Sequence, residues 1–174
     1  MNREKDYTKA FKEKIESRGW IFKKASREED MYDHVDCHVL VRDMGRIVRT
    51  WKIDLKGRKY NCRANEGNPQ HLCQYVEFLN VRGDKGWLFG EADYIVVEGE
   101  GKFHFIEREV LIAYCESIFH VSLNQSLVDI EKDLSKHSWT NRPELHKLYR
   151  RLDRKDLVTL ISMENIQSLT KFTI

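Results

Sequence analysis

Two neighbouring stretches of the chain, residues 34–41 and 47–55, alternate apolar and polar residues across a short polar turn that contains Gly45. Because successive side chains of a strand point to opposite faces, this alternation predicts a two-stranded β-hairpin. On the first strand one face carries Val35, Cys37, Val39 and Val41, and the other carries Asp36, His38 and Leu40. On the second strand the apolar row is Ile47, Trp51, Ile53 and Leu55, and the polar row is Thr50, Lys52, Asp54 and Lys56. Asp54 and Lys56 are therefore expected to be neighbours on one face.

The register of this hairpin decides how close its two aspartates come. If residues 42–46 form the loop, Val41 pairs with Ile47, Asp36 lies across from Lys52, and Asp54 is the diagonal neighbour of Asp36. A one-residue bulge on each strand would instead place the aspartates directly opposite each other. Cross-strand neighbours of either kind are separated by roughly 5 to 8 Å at Cβ, which allows two carboxylates to hold one divalent ion.

The charges on this face suggest a chemistry. Two carboxylates on one sheet face repel each other unless a cation lies between them, and Mg²⁺ prefers oxygen ligands, keeps several waters and binds phosphate oxygens. Such an ion polarises a phosphodiester and lowers the pKa of a bound water, while a nearby ammonium group offsets charge in the transition state. The alternative interpretation is a solvated face on which Asp36, Lys52, Asp54 and Lys56 form ordinary salt bridges.

An aspartate early in one strand, followed by Asp54-Leu55-Lys56 at the end of the next, resembles the core of the PD-(D/E)XK nuclease superfamily. The segments DHVD, IDLKG, GWLFGEADYIVVEG and LYRRLDRKDLVTLI occur in an order similar to that of small phage-encoded members. The resemblance implies an α/β fold of the restriction-endonuclease-like type, with a central mixed β-sheet flanked by helices. It also implies that Asp36 and Asp54 bind Mg²⁺, with Mn²⁺ as a substitute, and that Lys56 is catalytic. The backbone carbonyl of Leu55 is a further candidate ligand.

The D/E-x-K triplet by itself has little specificity in this chain. It also occurs as Glu100-Gly101-Lys102 and as Asp153-Arg154-Lys155. Only the triplet that begins at Asp54 ends an apolar strand and follows a second strand with an aspartate on a compatible face. The context of the triplet therefore selects the first copy.

Residues 6–18 are predicted to form an amphipathic helix whose apolar stripe is Tyr7, Phe11 and Ile15. Members of the superfamily often have a metal-binding glutamate on such a helix, but Glu13 and Glu16 lie outside this stripe. Either that ligand is absent here or a residue of the acidic run replaces it, the candidates being Glu29, Asp30 and Asp33. His34, next to this run, is expected either to contact phosphate or to cap the strand.

Basic residues are expected to contact the DNA backbone at two places. The first is the segment after Lys56, with Arg58, Lys59 and Arg63 beside Tyr60 as a ring for base stacking. The second is the late cluster of Arg150, Arg151, Arg154 and Lys155. The alternatives are an exposed loop for the first and salt bridges to Asp153 and Asp156 for the second. Glu77, in a further predicted strand, is a candidate additional metal ligand.

Composition limits the remaining choices. A chain of 174 residues without a Pro/Gly-rich linker is expected to form one domain, 1–174, with 120–141 as an insertion or substrate-contacting segment. The net charge of +2 does not by itself indicate nucleic-acid binding. No apolar run approaches a membrane span and the N-terminus lacks a signal-peptide pattern, so we expect a cytoplasmic location, in the host cytoplasm if the chain is phage-encoded.

Three functional hypotheses follow from these observations. The first is a Mg²⁺-dependent DNA endonuclease, with exonuclease action and a homodimer left open. The second is a catalytically inactive member of the same fold that binds nucleic acid or a host protein. The third is a small interaction protein whose aspartates are merely solvated.

Overall fold

The structure, a computed structural model, describes residues 3–57, 73–119, 135–137, 146–151 and 154–174. Its helices are α1 (Arg3–Ser17), α2 (Arg108–Phe119) and α3 (Met163–Ser168). Its strands are β1 (Ile21–Lys24), β2 (Cys37–Asp43), β3 (Arg46–Lys56), β4 (Cys73–Leu79), β5 (Tyr94–Glu98), β6 (Phe103–Glu107), β7 (Ser135–His137), β8 (Tyr149–Arg151), β9 (Leu157–Ser162) and β10 (Phe172–Thr173). In the part of the chain described, no helix is long and apolar enough to span a membrane.

The backbone divides into two compact units. The first contains Met1–Arg58, Gly90–Arg108 and Thr170–Ile174, and the second contains Lys59–Phe89 and Glu109–Leu169. Each unit has a sheet of its own. The expectation that residues 1–174 act as one nuclease-like domain stays a prediction, and most of the segment 120–141 lies outside the described residues.

The first unit is built on a six-stranded mixed sheet in the order β1-β2-β3-β5-β6-β10. Only β3 and β5 run parallel, and every other neighbouring pair is antiparallel. One face of this sheet packs against α1, because Phe11 and Ile15 of the helix are fully buried among its apolar side chains. The predicted stripe of Tyr7, Phe11 and Ile15 is confirmed, and Gly19, with φ of 74°, follows the end of the helix.

The β2–β3 hairpin has the predicted faces but a different register. Its turn is only two residues long, Met44 and Gly45, and both adopt left-handed backbone angles, with φ of 47° and 80°. One extra residue on β3 then forms a bulge, because Val41 pairs with Arg49 while Arg42 pairs with Ile47. The predicted pairing of Val41 with Ile47 is therefore wrong.

This shift changes the position of the aspartates. Cys37 pairs with Ile53 and His38 pairs with Lys52, so the predicted position of Asp36 across from Lys52 is also wrong. Continuing the same register by one residue brings Asp36 next to Asp54. A two-residue turn with a single bulge produces this result, so the two bulges considered from the sequence are not needed. Ile47, beyond the bulge, is 52% exposed and does not belong to the core row.

The second unit contains a smaller sheet in the order β4-β9-β8-β7. Trp87–Phe89 forms a short 3₁₀ turn, and β4 pairs with β9. The Ser162 hydroxyl accepts a hydrogen bond from the Asn165 amide at 3.2 Å and caps α3. The chain is thus an α/β protein with two sheets and few helices.

Candidate functional site

Asp36 and Asp54 meet where β2 begins and β3 ends. The backbone amide of Asp36 donates to the Ile53 carbonyl at 2.8 Å, which holds Asp36 against β3. Its side chain turns to the same strand, because the Leu55 amide donates to Asp36 Oδ2 at 2.6 Å. Backbone groups on both sides of Asp54 therefore fix Asp36. The structure brings together the two aspartates that the sequence analysis selected.

Asp54 is the most deeply buried acidic group of this site, with 2% of its side chain exposed. Lys56 Nζ lies 2.6 Å from Asp54 Oδ1, and the lysine side chain is 21% exposed. Residues two apart in a strand point to the same face, which explains how the predicted neighbours form this ion pair. The residues predicted to be catalytic thus lie together at one end of the β2–β3 pair: Asp36, Asp54 and Lys56.

Burial raises the pKa of Asp54 to about 7. The Lys56 ammonium opposes this shift, while the negative charge of Asp36 adds to it. Burial also raises the pKa of the neighbouring Cys37 thiol, and both aspartates contribute to that rise. Asp36 is therefore close enough to Asp54 to affect its pKa, and both aspartates affect that of Cys37.

The second carboxylate oxygen of Asp54 indicates what kind of group the site fits. Asp54 Oδ2 is buried and has no hydrogen-bond partner among the described residues. An unsatisfied buried oxygen costs free energy, and a cation coordinated by it would remove that cost. The donor set, an unsatisfied carboxylate oxygen beside a second carboxylate, fits a hard divalent cation.

The number of ligands distinguishes among metals. No group of three or more His, Cys, Asp or Glu side chains that could hold a metal ion occurs within the described ranges. Structural zinc usually needs four protein ligands, whereas Mg²⁺ is commonly held by one or two carboxylates together with waters and substrate phosphate. Two aspartates therefore suit Mg²⁺ or Mn²⁺ better than zinc. The role of the Leu55 carbonyl stays a prediction, and so does that of Glu77, which lies in β4 of the second unit.

Residues of the acidic run occupy a π-helical turn, Glu29–Asp33. Glu29 is held by three hydrogen bonds: its carboxylate accepts from the Ser26 amide at 2.8 Å and contacts His38 Nε2 at 2.8 Å, and its amide donates to the Ser26 hydroxyl at 3.2 Å. The hydrogen bonds from Ser26 and then from His38 lower the pKa of Glu29 to about 2. Glu29 thus ties the turn to β2, a contact that the sequence analysis did not predict.

The other candidates around the acidic run are placed differently. Asp30 is exposed and lines the same cavity as Asp36, so it is the residue of this run that the structure brings towards the aspartate pair. The Asp33 carbonyl accepts from the Glu91 amide at 2.7 Å. His34 ends the π-helical turn in the left-handed region, with φ of 53°. On α1, Glu13 and Glu16 are exposed and lie 3.9 and 3.7 Å from Lys9 and Lys12, and neither lines that cavity.

The residues predicted to contact nucleic acid are only partly described. Arg58, Lys59, Tyr60 and Arg63 lie outside the described residues. Arg154 and Lys155 are exposed just before β9, and Arg150 is half-buried in β8. Arg151 also belongs to β8, but its side chain is outside the described part. The role of this basic cluster stays a prediction.

A cavity of about 510 Å³ opens beside Asp36 and was not predicted. The first turns of α1, strand β1 and the ends of β2 and β3 supply its walls. No single stretch of sequence contains these segments, so no local pattern could have indicated the cavity. The lining residues include Tyr7, Lys9, Lys12, Phe22, Lys24, Asp30, Asp36 and Leu55.

Gly57, which follows Lys56, allows α1 to approach the end of β3. A Cβ atom at this position would overlap the ring of Tyr7. We expect Gly57→Ala to lower the free energy of unfolding by about 1 to 3 kcal/mol, because the ring must move or the strand end must shift. Urea unfolding measures this effect. In a Tyr7→Ala background the same substitution should cost under about 0.5 kcal/mol, and an unchanged cost there would contradict the contact.

The Glu29 contacts predict a pH dependence. A carboxyl group whose pKa is lower in the folded protein contributes stability above its unfolded pKa of 4.5, and this contribution is lost as the pH falls towards about 2. We therefore expect the wild type to unfold at a higher temperature than Glu29→Gln at neutral pH, with the difference shrinking below pH 4.5. Thermal unfolding between pH 2 and pH 7 measures it. A difference that does not change with pH would show that the charge of Glu29 is not involved.

Comparison of the chain with protein-family models, curated proteins and solved structures gives no match. The superfamily resemblance therefore stays a prediction from the sequence motifs. The function is therefore inferred from the geometry of the site.

Proposed function

We propose that this chain is a Mg²⁺-dependent deoxyribonuclease with a restriction-endonuclease-like fold. The observation that carries the proposal is the convergence of Asp36 and Asp54, with Lys56 Nζ 2.6 Å from the buried Asp54 carboxylate. An ion pair on a solvated surface would leave both partners exposed, whereas Asp54 is almost completely buried and has one unsatisfied oxygen. This difference favours a binding site over the alternative of a salt-bridged surface.

Each residue has a separate role in the proposed reaction. Asp36 and Asp54 hold the divalent ion, and the hydrogen bond from the Leu55 amide orients Asp36 for this task. Bound Mg²⁺ supplies Lewis-acid activation of the phosphodiester and of a water molecule. Lys56 opposes the effect of burial on the pKa of Asp54, and its ammonium group is positioned to offset negative charge that develops on the phosphate in the transition state.

A second candidate function has one observation in its favour. The helix glutamates Glu13 and Glu16 are exposed and do not line the cavity beside Asp36, so the site has two described carboxylates and an accessory Asp30. A member of this fold with too weak a metal site would be catalytically inactive and would bind nucleic acid or a host protein. Metal-dependent cleavage excludes this alternative.

A cleavage assay tests the proposal. Purified protein is incubated with supercoiled plasmid, linear duplex and circular single-stranded DNA in Mg²⁺, in Mn²⁺ or in EDTA. We expect cleavage with either metal and none in EDTA, and nicking of a circular substrate would identify endonuclease action. Loss of end label from linear DNA without any nicking of circles would identify an exonuclease. Absence of cleavage of all three substrates in both metals would contradict the proposal.

A further inference from the structure

We infer that the cavity beside Asp36 binds a single strand of DNA and leads it to Asp36, one of the two proposed metal ligands, an inference that rests on the proposed function and specifies its substrate. The cavity lies beside the start of β2 and the end of β3. Asp36 lies in its lining, and Leu55, the residue between Asp54 and Lys56, lies in the same lining. Asp54 and Lys56 do not belong to the lining, so a strand that occupies this space reaches the proposed metal site at Asp36.

The lining carries positively charged side chains that can bind a phosphate backbone. Three lysines belong to the lining, Lys9 and Lys12 of α1 and Lys24 of β1. Lys9 and Lys12 contact Glu13 and Glu16 only in exposed ion pairs of 3.9 and 3.7 Å, which are weak enough to be exchanged for phosphate. Lysines that line a groove neutralise the backbone of a single strand without reading its sequence.

The two acidic residues of the lining limit where a phosphate group can bind in the cavity. Asp30 and Asp36 would repel a phosphate group that approaches them without a cation. The lysines can therefore bind the strand in the absence of metal, whereas a phosphate beside Asp36 requires a divalent ion. This division predicts that binding and cleavage depend on different residues of one cavity.

Size and aromatic rings favour a single strand over a duplex. About 510 Å³ lies within the range of pockets that enclose small ligands, and it suffices for one or two nucleotides but not for paired strands. Tyr7 and Phe22 add aromatic surface to the lining, and aromatic side chains are the usual partners of unpaired bases. A base held in a duplex could not reach these rings.

Fluorescence anisotropy in EDTA tests the inference without any cleavage. The probe is a fluorescein-labelled hexathymidylate, and the competitors are unlabelled hexathymidylate and a long blunt-ended duplex that stays paired at the assay temperature. We expect the double variant Lys12→Gln/Lys24→Gln to bind the hexamer at least about 10-fold more weakly than the wild type and to reduce the salt slope by about 1.4, or about 0.7 for each lost phosphate contact. The matched control is Lys85→Gln/Lys102→Gln, which removes two exposed lysines outside the lining and should bind as the wild type does.

The outcomes separate this inference from the proposed function. If the wild type cleaves DNA in Mg²⁺ but the cavity variant binds the hexamer like the control, the inference is wrong and the nuclease proposal stands. If the cavity variant loses binding but no protein cleaves DNA, the single-strand site is supported and the nuclease proposal fails. Equal losses in both double variants, or duplex that competes as well as single strand, would overturn the inference.

Discussion

Asp54→Asn is expected to lower the rate of Mg²⁺-dependent DNA cleavage by at least about 10³-fold, because it removes the charged ligand that Lys56 and the strand hold in place. Asn keeps the size of the side chain, so the fold should be retained. Lys56→Met should cause a loss of about 10²-fold or more, since its ammonium group contacts Asp54 directly. Initial rates on circular single-stranded DNA at saturating Mg²⁺ measure both effects.

Lys52→Met is the matched control for these substitutions. Lys52 lies on the same strand and in the same polar row as Asp54 and Lys56, but it is exposed. Its loss should change the cleavage rate by less than about threefold, as expected for an exposed charge away from the reacting groups. Equal activity of the wild type and Asp54→Asn, or an equal loss in all three variants, would remove the proposed mechanism.

Asp54→Asn is also expected to stabilise the protein when no metal is present. A carboxyl group whose pKa rises from 3.8 in the unfolded chain to about 7 in the folded protein costs stability as the pH increases between these values. Asparagine does not titrate and avoids this cost. At pH 8 in EDTA the variant should therefore be more stable than the wild type by about 2 to 4 kcal/mol, and at pH 4 the difference should be small.

Urea unfolding at both pH values measures this difference, and added Mg²⁺ supplies the control. The ion should raise the unfolding midpoint of the wild type, because a ligand that binds only the folded state stabilises it, and it should leave the variant unchanged. A variant that is less stable than the wild type at pH 8 in EDTA would show that Asp54 forms a stabilising ion pair. A buried structural ion pair would then be preferred to a metal site.

The sequence predicted those parts of the site that depend on local patterns. Alternation along β3 placed Asp54 and Lys56 on one face, and the ion pair between them confirms that placement. The stripe on α1 also follows from helical periodicity, and the structure confirms it. These features depend on the periodicity and spacing of residues within one helix or strand, so they can be predicted from a single sequence.

The hairpin register could not be predicted from its residues. Its two-residue turn places Met44 in the left-handed region, which a residue with a Cβ rarely adopts, and a longer loop around Gly45 was the simpler expectation. The bulge on β3, opposite Val41 and Arg42, shifts the strand register a second time. Together the turn and the bulge set the position of Asp36 relative to Asp54. The proximity of the two aspartates therefore depends on the turn that was hardest to predict.

Contacts between distant segments were also missed. Glu29 was considered as a metal ligand or as part of a solvated loop, but it contacts His38 nine residues later. Strands β1 and β10 were not predicted because they are only four and two residues long and are defined by their partners in the sheet. The cavity requires α1, β1, β2 and β3 together, and no pattern within one of them indicates it.

A crystal soaked in Mn²⁺ shows whether Asp36 and Asp54 share a divalent ion, since anomalous scattering locates this ion without any assay of activity. We expect one strong anomalous peak within about 2.5 Å of oxygens from both Asp36 and Asp54, and its loss in crystals of Asp54→Asn. Crystals that contain Mn²⁺ at millimolar concentration but show no peak between these carboxylates, with the Lys56–Asp54 ion pair intact, would contradict this expectation.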